Sequence, residues 1–225
     1  MALNSVVLIA ESKWLRCAGK TSLLLALILA TVRIRKVKSK NPTDLDTLAA
    51  YAEGYAEFAM KNIGRVPPTM IAISPEGLLH FIPESLRDER AKNDFANVGR
   101  LICAAYGATN MVMILESWVT MAKPGQTLDT ETPPSEAFDR MEFVVVMGET
   151  AGRKTQRFLP IVQTDAGGFF GFGDSNLPQF DGIEGRFAGM LPPVEPPAET
   201  RAMAQAVLAA MGVTRDALKP KHGNN

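Results

Sequence analysis

The sequence predicts an α+β protein with a mostly antiparallel sheet of about five to six strands, two helices packed on one face of the sheet, and a further C-terminal helix. Two segments with apolar residues at spacings of three and four are typical of amphipathic helices, and several short apolar segments separated by glycine and proline are typical of strands. The resulting order, α-β-β-α-β-β-β, contains no regular βαβ repeat, which favours antiparallel pairing and disfavours a nucleotide-binding core. With 225 residues, 46% of them hydrophobic, the chain is long enough to bury a core without a metal ion or a disulfide.

The two central helices have recognisable start and stop signals. Thr43 followed by Asp46 resembles a capping box, and Gly64 is expected to end the first helix. Ser85 followed by Asp88 repeats the start signal for a second helix that is expected to end before Gly107. The predicted core residues are Leu45, Leu48, Ala52, Tyr55, Ala59 and Ile63 in the first helix, and Ala91, Phe95, Val98, Leu101, Ile102 and Ala105 in the second.

The strands are predicted from short β-type segments and from the turns between them. Pro75-Glu76-Gly77 is typical of a tight turn, so the segments on either side of it are expected to form a hairpin. The long apolar segment after the second helix is expected to be the central strand, and a polar loop rich in proline follows it. The predicted strands are 69–74, 78–82, 110–121, 141–150, 155–164 and 169–172.

Charge and composition divide the chain into five regions. Residues 1–40 hold eight Lys and Arg against Glu11 alone, and are expected to form a basic, weakly packed N-terminal extension. Two alternative interpretations of residues 1–40 are a signal or anchor, and a translated segment upstream of the natural start. The longest apolar run in residues 1–40 has about eleven residues, fewer than the ~20 that span a membrane. The other predicted regions are an α+β core domain (41–174), a connector rich in proline and glycine (175–197), a C-terminal helical segment (198–218) and a tail (219–225).

Gly19-Lys20-Thr21 resembles the end of a Walker A phosphate loop, with an apolar run before it and a Leu-rich run after it. In such a loop Lys20 would contact the β- and γ-phosphates and Thr21 would contact Mg²⁺. However, Trp14 stands where the tight wrap of the loop requires glycine, and no apolar strand downstream clearly ends in the aspartate that positions Mg²⁺. The sequence therefore favours a chance occurrence of Gly-Lys-Thr, with a degenerate nucleotide-binding site as an alternative.

Glu116, Arg140 and Glu142 are the candidate catalytic residues near the predicted strands. Strand alternation places Glu116 among apolar side chains, where burial would raise the pKa of its carboxyl group and suit a general acid. The more ordinary interpretation is that Glu116 marks where its strand emerges, or that it pairs with a basic residue on a neighbouring strand. Arg140 and Glu142 are interpreted first as a cross-strand ion pair and alternatively as parts of a site with Glu116.

His80 is a further candidate, because it is the one histidine of the predicted core domain. Glu84 follows it by four residues, but these two side chains fall short of the three protein ligands of a catalytic zinc ion. We therefore expect neither a metal site nor a cofactor, and we interpret His80 as a strand residue whose ring has a hydrogen-bond partner.

Cysteine use and charge suggest the compartment and the partners. Cys17 and Cys103 are far apart and form no metal-ligand spacing, so a reducing, cytoplasmic location is expected. Cys103 lies on the apolar part of the second helix and is interpreted as a core residue. Nucleic acid is expected as a partner only through residues 1–40, because the rest of the chain is acidic and would repel phosphates.

Two resemblances bear on the class of protein. Glu116-Ser117-Trp118 together with residues 134–142 resembles a group of bacterial and phage-borne proteins without a named activity, over about residues 110–165. That resemblance implies no catalytic residue. The order of elements is also similar to that of roadblock-type interaction modules, which is an analogy of topology alone.

The function predicted first is a non-catalytic protein-interaction module that binds another protein or a second copy, with a homodimer as one form. An exposed sheet edge or the C-terminal helix, with its apolar residues Met203, Val207, Leu208 and Met211, would form the contact. The alternative is a carboxylate-dependent hydrolase that uses Glu116 and Glu142, with or without a divalent metal ion.

Overall fold

The computed structural model describes residues 9–12, 41–84, 86–121, 129, 131–174 and 185–220. In this part of the chain, one antiparallel sheet lies between helices on both of its faces. The helices are α1 (Leu45–Ile63), α2 (Glu89–Ala105) and α3 (Ala198–Ala210). The strands are β1 (Ile9–Ser12), β2 (Thr69–Ser74), β3 (Gly77–Phe81), β4 (Asn110–Thr120), β5 (Met141–Thr150), β6 (Arg153–Gln163) and β7 (Phe169–Phe172).

The strands follow the order β3-β2-β4-β5-β6-β7, and every neighbouring pair is antiparallel. The predicted α+β class and antiparallel sheet are confirmed. All residues of β4 are buried, in agreement with the central position that its largely apolar sequence predicted. β4 is longer than β2, and the part of the β4 edge that β2 does not reach pairs with β1. In this pairing Ile9 is opposite Thr120.

The helices are divided between the two faces of the sheet, whereas the sequence analysis placed two of them on one face. The buried side chains of α1 cluster with Ile71, Val112, Ile114, Val144 and Val146. Those of α2 and α3 cluster with the alternate residues of the same strands, among them Met70, Ala72, Met111, Met113 and Leu115. Because β2 and β4 are apolar on both faces, each face needs its own cover.

The helix starts differ by one or a few residues from the predicted ones. Asp44 caps α1: its Oδ1 accepts from the Thr47 N–H at 2.9 Å, and Thr47 Oγ1 accepts from the Asp44 N–H at 3.2 Å. The capping box thus exists, but it is shifted by one residue from Thr43 and Asp46. Asp88, and not Ser85, is the N-cap of α2, accepting from the Ala91 N–H at 2.7 Å.

Asp46 instead links α1 to the first residue of β6. The Arg153 guanidinium donates to its two carboxylate oxygens at 2.9 and 2.8 Å, and these hydrogen bonds lower the pKa of Asp46. Since the folded-state pKa lies below the unfolded value of about 3.8, the pair stabilises the fold above that pH and its contribution is lost as the pH falls through the folded-state pKa.

We therefore expect Asp46→Asn to destabilise the protein at pH 7, and we expect its difference from the wild type to shrink as the pH falls below the ordinary pKa of about 3.8. Urea unfolding at pH 7, 5 and 3 measures the difference. The control Asp94→Asn removes a looser exposed ion pair, of 3.8 Å to Arg90, that has no such paired hydrogen bonds. A wild-type–Asp46→Asn difference that does not change with pH would contradict the assignment.

Two charged residues fix the segment that precedes α3 to the body of the protein. The Arg100 guanidinium donates to three carbonyl oxygens, those of Arg186, Ala188 and Gly189, at 2.6 to 3.2 Å. From the sheet, Glu149 accepts from the Met190 N–H at 3.1 Å. Within the predicted connector 175–197, residues 186–190 are therefore bound tightly to α2 and β5.

The residues after α3 cover the outer edge of β3. The N–H of His80 donates to the Leu218 carbonyl at 2.7 Å, and Arg215 donates to the carbonyls of Glu76 and Leu78 at 3.2 and 3.5 Å. The Leu218 side chain is buried in the core between α2 and the sheet. This edge is thus occupied by the protein's own chain, a common protection of exposed strands.

Candidate functional site

Three of the four candidate residues lie on one face of the sheet. Glu116 on β4 and Glu142 on β5 share the α1 face, because Glu116 is opposite Val144 and Glu142 is opposite Trp118. His80 shares this face, since it is opposite Ile71 in the β2–β3 pair. The fourth candidate, Arg140, directly precedes β5.

Glu116 is almost fully buried, as strand alternation predicted, and it binds the chain that connects α1 to β2. Its Oε1 accepts a hydrogen bond from the Val66 N–H at 3.0 Å. The Val66 side chain is itself buried in the α1 cluster. A buried carboxylate that accepts from a backbone N–H satisfies a donor that would otherwise lack a partner in the interior. Glu116 thus has a structural contact of its own.

Glu142 and Arg140 are organised around Trp118. The indole Nε1 of Trp118 donates to Glu142 Oε1 at 3.3 Å, and Gln163 Nε2 donates to the other carboxylate oxygen at 3.2 Å. The Arg140 guanidinium lies over the Trp118 ring, 5.4 Å from its centre, and donates to the Ser135 carbonyl at 2.6 Å. Arg140 and Glu142 are not opposite each other across two strands, as the first interpretation required, because they are two residues apart at the start of β5.

Glu116 and Glu142 are therefore near each other on neighbouring strands, but their observed hydrogen bonds go to different donors. Glu136, in the turn before β5, is exposed. Within residues 41–84, 86–121, 131–174 and 185–220, no group of three or more His, Cys, Asp and Glu side chains is placed to hold a metal ion. Gly19, Lys20 and Thr21, the candidate nucleotide site, lie outside the described residues.

His80 is buried beneath α1 between two tyrosines that the sequence analysis did not connect with it. The ring centres of Tyr51 and Tyr55 are 5.8 and 6.2 Å from that of His80, both in edge-to-face arrangement. Tyr51 Oη lies 3.4 Å from His80 Nε2. Because the Thr69 hydroxyl donates to the Pro67 carbonyl at 2.8 Å, the Tyr55 hydroxyl is the donor in its 3.2 Å contact with Thr69. The spacing of four between the tyrosines was the one sequence signal for this cluster.

Burial raises the pKa of Tyr51 and of Tyr55, so both phenols keep their protons. We expect their absorbance titration near 295 nm to lie above the ordinary pKa of about 10 in the folded protein, and to return to it in guanidinium. Since the folded-state values are raised, stability is expected to fall as the pH rises above 10. Tyr55→Phe should remove one of the late-titrating groups, and a folded-state titration identical to that in guanidinium would contradict this.

Cys103 is a core residue of α2, as its position predicted. Its side chain is fully buried, and burial, with a smaller contribution from the charge of Glu149, raises the pKa of its thiol to about 12. The thiol therefore stays protonated at neutral pH, and a nucleophilic role, which needs the thiolate, is disfavoured.

Among the described residues, several exposed apolar side chains lie together on the outer face of α3, which we define as Ala202, Met203, Ala206, Val207, Ala210 and Met211. Met203 is 71% exposed, Met211 54% and Val207 44%. The opposite side of the helix is fixed, because Ala204 and Leu208 are buried and Gln205 donates to the Ala105 carbonyl at 2.9 Å. The sequence predicted one apolar stripe from Met203, Val207, Leu208 and Met211, but only Leu208 of these is buried.

Comparisons of this chain with protein-family models, with curated proteins and with solved structures find no match. Any functional interpretation therefore depends on the chain itself. Among the described residues, no helix combines the length and the apolar character needed to cross a membrane.

Proposed function

We propose that the protein is a non-catalytic interaction module that binds another protein through the outer face of α3. The observation that carries this proposal is an exposed, uncharged helix face on a helix whose other side is firmly fixed. From Ala202 to Met211, Gln205 is the one polar side chain. Surface helices normally present charged residues to water, and a helix that is apolar all round is normally buried.

The anchoring of α3 supports this interpretation. If α3 were loosely attached, its exposed apolar residues could be core residues that became exposed when the helix detached. Here Leu208 is completely buried, and the segments before and after α3 are bound to α2 and to the edge of β3. The exposed face therefore belongs to the folded protein, and a partner would meet a preformed surface.

The sheet edges give less support to binding by strand addition. The edge of β3 is covered by the residues after α3. At the other end, β7 has four residues and pairs with β6 through an irregular register at Val162 and Gln163. Short and irregular edge strands are poor templates for an added strand.

The carboxylate-dependent alternative has less support than the interaction proposal, because Glu116 and Glu142 accept hydrogen bonds from separate donors. Nucleotide binding at Lys20 stays a prediction from the sequence. A cytoplasmic location is supported by the free, buried Cys103, which suits a reducing compartment. A bacterial or phage origin also stays a prediction.

Site-specific photo-crosslinking in cells tests the proposal. A benzophenone amino acid is placed at Val207, and in a matched control at Phe170, which is 75% exposed on β7. We expect one discrete crosslinked species from position 207, lost when Met203→Lys is added, and no such species from position 170. A position-207 product that survives Met203→Lys, or no product at all, would contradict the proposal.

A further inference from the structure

We propose that the partner of the outer face of α3 is a second copy of this chain, with the two α3 helices packed antiparallel about a two-fold axis near Ala206. This inference rests on the proposed function and specifies its partner. The shape of the helix face, its charges and the direction of the helix all favour a second copy.

The outer face of α3 is complementary in shape to itself. Met203, Val207 and Met211 follow one another at intervals of four and form a raised row of large side chains. Ala202, Ala206 and Ala210 form a parallel row of small side chains directly beside it. Helices pack by placing the ridge of one into the groove of the other, and rows at intervals of four do so at a crossing angle of about −50°. A two-fold axis lets each copy supply both the ridge and the groove.

The distribution of charge also suits a second copy. A two-fold contact places residues near the axis against their own counterparts, so that any charge there would meet a like charge. No Asp, Glu, Lys or Arg occurs from Ala202 to Thr214. Charges occur only at the two ends, with Glu199 and Arg201 at the start of the helix and Arg215 and Asp216 after its end.

An antiparallel arrangement makes the ends of the two helices compatible. Each N-terminal turn then lies towards the C-terminal end of the other helix, so that the two copies of Glu199, and the two copies of Arg201 two residues later, are far apart. The two helix dipoles also oppose each other, which a parallel pair would not allow. A parallel pair would instead bring the two copies of Glu199 together.

Sedimentation velocity of the full chain, from about 1 to about 100 µM, measures the association. We expect the mass to rise with concentration from that of the 24.4 kDa chain towards twice that value. Met203→Lys should weaken the association at least about tenfold, because it would bury a charge in an apolar contact. The matched control Phe170→Lys changes an equally exposed apolar residue on β7 and should associate as the wild type does.

Oxidative crosslinking tests the position of the axis. Ala206→Cys should form an intermolecular disulfide rapidly, since the axis brings the two copies of this position together. Thr200→Cys, exposed near the start of α3, should not do so in the antiparallel arrangement. Faster crosslinking of Thr200→Cys than of Ala206→Cys would overturn the antiparallel pairing.

The outcomes separate this inference from the proposed function. A monomer at every concentration, together with a crosslinked product at position 207 that contains a different protein, would overturn the second copy but leave the interaction module standing. A monomer with no crosslinked product would overturn both. Association that Met203→Lys leaves unchanged would overturn the second copy at this surface.

Discussion

Leu48→Ala is expected to lower the free energy of unfolding by about 2–5 kcal/mol, the largest effect that we predict for a single substitution. Leu48 is completely buried between α1 and the sheet. Besides Leu45 and Met60, the buried residues on the same side of α1 are small: Ala49, Ala52, Ala56 and Ala59. These alanines cannot fill the space that the leucine leaves, so a cavity would remain.

Urea unfolding followed by circular dichroism measures this loss. Lys61→Ala is the matched control, because it shortens a larger side chain on the same helix to alanine where that chain is 54% exposed. It should change stability by less than about 0.5 kcal/mol. If the two variants were equally stable, α1 would not be packed against the sheet as described.

Glu116→Ala is expected to destabilise the protein by about 1–3 kcal/mol, because the Val66 N–H would remain buried without its acceptor. Glu116→Gln keeps an acceptor oxygen at the same place and should lose clearly less. The comparison tests whether the fold needs an acceptor oxygen at this position, because glutamine retains such an oxygen and alanine does not.

The same urea series measures both Glu116 variants. Tyr55→Phe is a suitable reference, because it removes one hydroxyl hydrogen bond under the same helix and adds no cavity. A Glu116→Ala variant as stable as the wild type would refute the structural role. In that case the carboxylate would again be a leading candidate for chemistry.

Burial in the core does not explain the apolar side chains on the outer face of α3. Three large apolar side chains face water on a helix fixed by Leu208 and Gln205. Exposed apolar surface of this kind favours association. This face is the exposed apolar surface, among the described residues, on which the proposed interaction rests.

The sequence by itself determined the features that depend on neighbouring residues. Gly64 and Gly107 have φ of 73° and 60°, so the stops predicted for the two helices stand where glycine is favoured. Pro75-Glu76-Gly77 lies at the predicted hairpin, and β4 is the central strand that its apolar sequence predicted. Periodicity and the residue preferences of turns depend on residues a few positions apart, so they can be recognised from the sequence alone.

Tertiary structure decided which surfaces meet. The division of the helices between two faces depends on how the chain crosses the sheet, which periodicity does not encode. His80 lies against Tyr51 and Tyr55 only because α1 packs over β3. Most clearly, α3 is apolar on nearly every side, so its sequence could not show which side would be buried. Packing against α2 buried Leu208 and left Met203 in water, because one flank of a helix can contact a neighbour while the opposite flank stays free.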